Sequence, residues 1–418
     1  MSIGPISAPL DTAANPNWTA RAALIVGLCF VVNMVDGMDV NIMSYIRAAL
    51  SKDWAVADDV MGYVMSAGTF GMGLGALLIA PFADRFGRKP VILTALALMS
   101  TGMVASGLAG SVVWLMVARL FVGMGIGTVL AAMAALCAET APPKHQDMAV
   151  GFVQAGFPLA AVATGFIVAH WANLLGWQNL LLWAAAITTV MLPAAWAILP
   201  SRLSEATVDH ASSKAALATV FSPALRTRTL LLWAAVFMGL MVLYSMLSWI
   251  TKLAHGAGLS DADSIYAGAT YNMGAFVGTT SMGLLSTRVR LGVLVPVLLC
   301  AAAVAMLVFG NVALSVGGAL AMAFVIGLTL QGGYNGMWPI AASSYPAESR
   351  ATGIGWAMGV GRSGAVIGPI MAGYLLSAKV SVPMILAVYC VPLLICALSA
   401  GLVGMSIRRG AQRAMPQG

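Results

Sequence analysis

Charge is scarce in this chain of 418 residues: Asp, Glu, Lys and Arg together make up 8% of it, against about a quarter in an average soluble domain. That scarcity excludes a soluble globular protein of this length. Cysteine is also rare, with five residues, all in apolar stretches and none at metal-ligand spacing, which argues against a disulfide framework and against structural zinc. There is no H-E-x-x-H and no Walker A loop, so neither zinc hydrolysis nor ATP hydrolysis is implied. Gly359 to Gly364 does fit G-x-G-x-x-G, but it lies inside an apolar helical run and follows no strand, so it is not a dinucleotide site. No enzyme chemistry, cofactor or metal is expected.

What the chain has in excess is apolar length. Hydrophobic residues make up 60% and the mean hydropathy is +0.92, the signature of a polytopic membrane protein. Runs of about 20 apolar residues between polar or Pro/Gly-rich breaks predict twelve transmembrane helices. They fall near 22–49, 60–83, 90–109, 114–138, 148–170 and 178–199, then 229–253, 264–286, 291–309, 316–342, 352–377 and 382–406. The first run is too long and too acidic at its centre for a cleaved signal peptide, so it is expected to stay in the mature protein.

Lys and Arg in the connecting segments divide fifteen to three, the minority side holding only Lys52, Lys252 and Lys379. This asymmetry predicts that both termini are cytoplasmic in a cell (inner) membrane. The net charge of +7 follows from that topology and from anionic headgroups, and gives no support to nucleic-acid binding. The longest break, rich in Ser, Thr and mixed charges, is read as a cytoplasmic linker over 201–228 between two six-helix bundles, 1–200 and 229–418. An internal repeat supports the division. The turn around Asp84 has a degraded echo around Thr287 (287 − 84 = 203), and Pro142 pairs with Pro346 (346 − 142 = 204).

The most informative residues are the few charges inside apolar runs, because charge at bilayer depth is costly and by default functional. Asp36 and Asp39 are three apart on one face of the first helix, with Asp36 about 21 Å in from the amino-terminal edge. Arg119 on the fourth helix enters from the other side to similar depth. Desolvation and mutual repulsion oppose ionisation of the two acids, whereas a guanidinium favours it, the balance a reversible proton carrier needs. Asp36 and Asp39 are therefore expected to share a coupling proton, with Arg119 pairing alternately with them and with substrate; the alternative is a static buried ion pair that fixes helix packing. Arg362, about 18 Å deep in the eleventh helix, is expected to grip a substrate carboxylate bidentately, unless it serves only exposed helix carbonyls. Arg47 is expected to snorkel to the outer surface.

Gln331, Tyr334, Asn335 and Trp338 on the tenth helix, with Tyr244 and Ser248 on the seventh, mix flat apolar faces with hydrogen-bonding groups that suit an aromatic ring bearing a hydroxyl or carboxylate. Trp249 is read either as part of that wall or as a member of an outer aromatic belt.

Asp84-Arg85-Phe86-Gly87-Arg88-Lys89 and Arg119-Leu120-Phe121-Val122-Gly123-Met124-Gly125-Ile126-Gly127 resemble the loop after the second helix and the fourth-helix pattern of the major facilitator superfamily. Asp36-Gly37-Met38-Asp39, together with the run from Tyr345-Pro346 through Arg350-Ala351-Thr352-Gly353 to Gly361-Arg362-Ser363-Gly364, resembles the aromatic acid:proton symporters within it. The departures are Ala80, where the loop motif usually begins with Gly, and Gln146, where Arg is common. The resemblance implies a gate on the cytoplasmic side built from Asp84, Arg85, Arg88 and Lys89. By position, Asp84 is expected near the start of the third helix, where the dipole favours a negative charge, and Glu139 at the end of the fourth is expected to partner the bases. Plain anchoring by positive charge is the alternative reading.

These readings converge on an all-α transporter of two pseudo-symmetric six-helix bundles, the major facilitator fold. It is expected to act as a monomer and to import a small aromatic or related carboxylate together with protons by alternating access. A proton-driven exporter of amphipathic compounds, or a membrane sensor that binds the acid without moving it, are the competing classes.

Overall fold

In a lipid environment each backbone N–H and C=O must find its partner within the chain, so apolar runs of this length become helices. A computed structural model describes residues 18–142, 145–199, 218–223 and 225–414. Over these residues the chain forms α1 (Ala20–Trp54), α2 (Asp58–Leu74), α3 (Phe82–Phe86), α4 (Arg88–Gly107), α5 (Val112–Thr140) and α6 (Gln146–Ile198). After the midpoint come α7 (Arg226–Gly256), α8 (Asp261–Arg288), α9 (Leu291–Asn311), α10 (Val316–Asn335), α11 (Met337–Ser344), α12 (Ala347–Ser377) and α13 (Val382–Ala414).

Serine or threonine hydroxyls cap α1, α5, α8 and α10, each accepting from a backbone N–H three residues on, which satisfies one of the orphan donors of the first turn. The long α6 is two spans, broken at Gly176, whose φ of 76° no side-chain-bearing residue adopts readily. Most of the linker expected over 201–228 lies outside the described residues.

Ten helical stretches among the described residues are apolar and long enough to cross a membrane. α8 and α12 are not among them, although at 28 and 31 residues both are long enough to span. Each packs one face against the other half, α8 on α6 and α12 on α2, and together they complete the expected set of twelve. Trp183, Val304 and Leu398 lie bare on the outside at 63%, 61% and 64% exposure, a surface that lipid would cover.

The two halves pack alike. In the first, α1 lies against α6, α4 against both α5 and α6, and α2 against α5; in the second, α7 lies against α12, α9 against both α10 and α13, and α8 against α10. The match extends to single atoms. A Cβ on Gly71 would run into Leu120 O, one on Gly75 into Met124 O, and one on Gly123 into Gly68 O. In the second half Gly274 meets Phe324 O, Gly278 meets Leu328 O, and Gly327 meets Tyr271 O. These are the same three contacts, displaced by 203 on α8 (274 − 71 = 203) and by 204 on α10 (327 − 123 = 204), the offsets of the repeat in the sequence. One turn on, the copies part: Gly127 meets Met72 O, whereas its counterpart is Gln331.

The halves meet through α2 against α12, α6 against α8, and α1 against α7. Their polar contacts gather at the end of the helices opposite the chain termini. There Tyr63 and Tyr374 share a hydroxyl–hydroxyl bond of 2.8 Å, Lys252 pairs with Asp58 at 3.5 Å, and Thr251 donates to Ser44 O at 3.0 Å. Asn272 donates to Asn41 Oδ1 at 3.1 Å and to Tyr45 OH at 3.2 Å. This end is sealed.

Candidate functional site

On the side of the chain termini, a cavity of about 820 Å³ opens between α1, α2, α5, the first limb of α6, and α12. Asp36 from the first half and Arg362 from the second both line it. Helix geometry brings Arg362 level with the later turns of α2. Arg362 lies fifteen residues into α12 and Met72 fourteen residues into the antiparallel α2, and Arg362 Nη1 lies 3.9 Å from Met72 Sδ.

Asp36 is 2% exposed, and neither of its carboxylate oxygens has a hydrogen-bond partner among the described residues. Arg362 is near enough to interact with it electrostatically. An ionised carboxylate buried in this way calls for a counter-charge or a proton. The Arg362 guanidinium donates to Tyr244 OH at 2.9 Å and stands 6.0 Å from the centre of that ring, so one Nη is held while the group remains at the cavity wall.

Asp39 is turned the other way. It is 1% exposed and accepts from Arg119 Nη1 at 3.5 Å, while Arg119 Nε donates to Ser106 Oγ at 3.0 Å and a further nitrogen touches Met103 Sδ. Arg119 therefore sits among α1, α4 and α5 rather than on the cavity wall, and in this state it reaches Asp39.

The tenth-helix group divides. Tyr334 is buried against Gly239 and packs edge-on to Trp338 at 5.8 Å, its hydroxyl within electrostatic reach of Arg362. Asn335 donates to Thr279 Oγ1 at 2.8 Å, which ties α10 to α8. Gln331 and Ser248 are half-buried. None of these four α10 and α11 residues, nor Ser248, lines the cavity; Tyr244 and Tyr334 stand behind Arg362.

Two expectations are corrected. Arg47 does not snorkel: it is 4% exposed and stacks 5.7 Å from the Trp249 ring, because the sealed end of α1 is covered by α7. Trp249 is no belt residue either, being fully buried with Nε1 donating to Pro369 O at 3.0 Å.

Among the expected gate residues, Arg88 is ion-paired with Glu139, and neighbouring Lys89 donates to the Trp196 and Leu199 carbonyls at 2.6 and 2.7 Å. Both contacts lie within the first half. The backbone of Asp84 is in the separate short helix α3, with Gly87 at φ 87° between it and α4, so it does not occupy the start of the third span. The side chains of Asp84 and Arg85 lie outside the described residues.

Sequence reasoning passed over Asn33 and Gln154, which line the cavity, and Asn41 and Asn272, which seal its far end. Each is an uncharged amide in an apolar helix, a signal that could have been read by the rule applied to the charges.

The fold is that of a polytopic membrane transporter, and comparison with known proteins agrees. The family model of the Major Facilitator Superfamily matches residues 29–369. The chain belongs to that superfamily and, within it, to the aromatic acid transporter family. It is 28% identical to a gallate transporter of Pseudomonas putida (94% of this chain, 95% of that protein). It is 30% identical to a 3-(3-hydroxy-phenyl)propionate transporter of Escherichia coli (88% and 90%), and 29% identical to a 4-hydroxybenzoate transporter of Pseudomonas putida (88% and 89%). Among solved structures, an inward-facing, unoccupied bacterial homologue of the human lysosomal transporter Spinster superposes with a TM-score of 0.72 at 16% identity, over 96% of this chain and 100% of that one.

Proposed function

We propose that this transporter is a proton-coupled symporter that imports a small aromatic carboxylate by alternating access. The observation that carries this reading is the pairing, across one cavity, of a partnerless buried acid from the first half with a guanidinium from the second. Arg362 binds the substrate carboxylate, and Asp36 carries the coupling proton. When the anion occupies Arg362, the counter-charge facing Asp36 is spent, so the acid is kept neutral by a proton; proton and anion then move together. Asp39, held by Arg119, belongs to the same coupling group and fixes the face of α1 that Asp36 presents. Tyr244 and Tyr334 orient Arg362, and Gln331, Asn335, Trp338 and Ser248, which lie off the cavity in this state, are assigned to the wall that meets substrate once the halves have rocked. The relatives named for gallate, hydroxybenzoate and hydroxyphenylpropionate support the substrate class.

With both termini in the cytoplasm of an inner membrane, as the positive-inside asymmetry argues, the open cavity is the inward-facing state. The seal at the far end is then the periplasmic gate. Arg88 with Glu139, and Asp84 with Arg85, are assigned to the cytoplasmic gate that closes in the opposite state. The working unit is one chain, 1–200 rocking against 229–418 about the 201–228 linker.

Proteoliposomes given labelled benzoate and 4-hydroxybenzoate, with and without an inwardly directed proton gradient, test the reading. Accumulation is expected only with the gradient. The Arg362→Lys variant is expected to raise KM at least about tenfold, since a point charge replaces a fork, and Arg362→Ala to abolish uptake. Full uptake by Arg362→Ala would sink the carboxylate clamp.

A further inference from the structure

We infer that Asn33 is a specificity-determining residue that accepts a hydrogen bond from a hydroxyl on the transported ring; the inference rests on the aromatic-carboxylate reading above. Asn33 is 4% exposed and lines the cavity on α1, one turn towards the chain termini from Asp36. Its amide orientation is fixed by chemistry: Nδ2 reaches Val153 O at 2.5 Å and Gln154 Oε1 at 3.5 Å, and a backbone carbonyl can only accept. Oδ1 is thereby turned away from α6, and it has no partner among the described residues.

A buried amide oxygen without a donor is costly to keep. The neighbouring Asp36 also lacks a partner, but a proton answers that need, whereas an amide takes up no proton at working pH. A donor brought into the cavity answers that need. Arg362 and Asn33 stand on walls from opposite halves, with Val32, Leu130 and Met133 supplying apolar surface beside them. A flat ring whose carboxylate lies on Arg362 presents its other edge to α1, where a hydroxyl donates to Oδ1. A site built to receive a hydroxyl discriminates against the analogue that lacks one, because its own polar group is then left unpaired.

The test compares three acids of similar shape, benzoate, 4-hydroxybenzoate and 4-methoxybenzoate, in gradient-driven proteoliposomes. The methoxy compound keeps the oxygen and loses the donor. In the wild-type protein, 4-hydroxybenzoate is expected to inhibit labelled benzoate uptake at least about fivefold more strongly than 4-methoxybenzoate does. In the Asn33→Leu variant the ratio of the benzoate KM to the 4-hydroxybenzoate KM is expected to fall by a similar factor. Equal inhibition by the hydroxy and methoxy acids in the wild type, the result expected if Oδ1 meets only water, overturns the inference even if Asn33→Leu fails to fold. An unchanged KM ratio in a folded Asn33→Leu variant overturns it as well. Benzoate uptake without hydroxyl preference leaves the transport reading standing, whereas accumulation of no acid by the wild type removes that reading and this inference together.

Discussion

The two halves of this transporter share a backbone and differ in their charges. Gly71, Gly75 and Gly123 repeat as Gly274, Gly278 and Gly327 with the same carbonyls opposite them, so helix approach distances have been held through the duplication. The buried ionisable groups have not. The first half buries Arg47, Arg88 and Arg119 and, with Asp36 and Asp39, the buried acids among the described residues, of which Asp36 lines the cavity; the second half presents Arg362, backed by tyrosine hydroxyls, at the cavity wall. Two identical halves would place like charges opposite each other across the cavity. Divergence of side chains on a fixed frame lets one half offer acid and the other base at the cavity, the asymmetry on which the proposed symport of an anion with a proton rests.

The largest effect that could break this comparison comes from Asp36. The Asp36→Asn variant is expected to lower gradient-driven accumulation to that of protein-free vesicles while leaving exchange of labelled for unlabelled acid detectable; accumulation at the wild-type rate would remove the assignment. Next comes the contrast between the two arginines. Removing one partner of a buried pair costs about 3–5 kcal/mol, so Arg119→Gln is expected to lower the thermal stability of the detergent-solubilised protein severely, with much of the loss recovered in Arg119→Gln/Asp39→Asn. Arg362→Gln, at a cavity wall, is expected to leave stability nearly unchanged. Equal losses from the two arginines would erase the distinction drawn between a cation that holds structure and one that receives substrate.

The shared frame has its own test. Gly75→Val and Gly278→Val each drive a side chain into a backbone carbonyl, and each is expected to cost about 1–3 kcal/mol or more by overpacking, read as matched drops in thermal stability. A loss confined to one of them would mean that the halves are not equivalent at that crossing. The smallest expected effect lies at the sealed end. The Lys252–Asp58 pair is partly exposed, and such pairs contribute up to about 1 kcal/mol. The Lys252→Ala variant should therefore raise, by up to about fivefold, the rate at which a Ser66→Cys reporter reacts with an impermeant thiol reagent from the far side. No change would show that the seal relies on the Asn272, Asn41 and Tyr45 bonds instead.

Composition alone dictated a membrane protein of many helices, because a chain with 8% charged residues cannot cover itself in water, and a helix is the local answer to lipid. The Asp36/Asp39 pair, Arg119, Arg362, the repeat offset and the family were legible for the same reason: a charge within an apolar run, or a motif, stands out in one dimension. Tertiary structure alone decided which groups meet. Asp36 and Asp39 are three residues apart on α1, yet one faces the cavity and the other faces Arg119, since the face a helix residue covers has meaning only once neighbouring helices are in place. Arg47 near a helix end reads as a snorkelling residue until α7 lays Trp249 over it. Asn33, uncharged and unremarked in sequence, gains its role from the Val153 carbonyl that fixes its amide. Depth in a bilayer is written along the chain, but direction around a helix axis is set by packing between segments far apart in sequence.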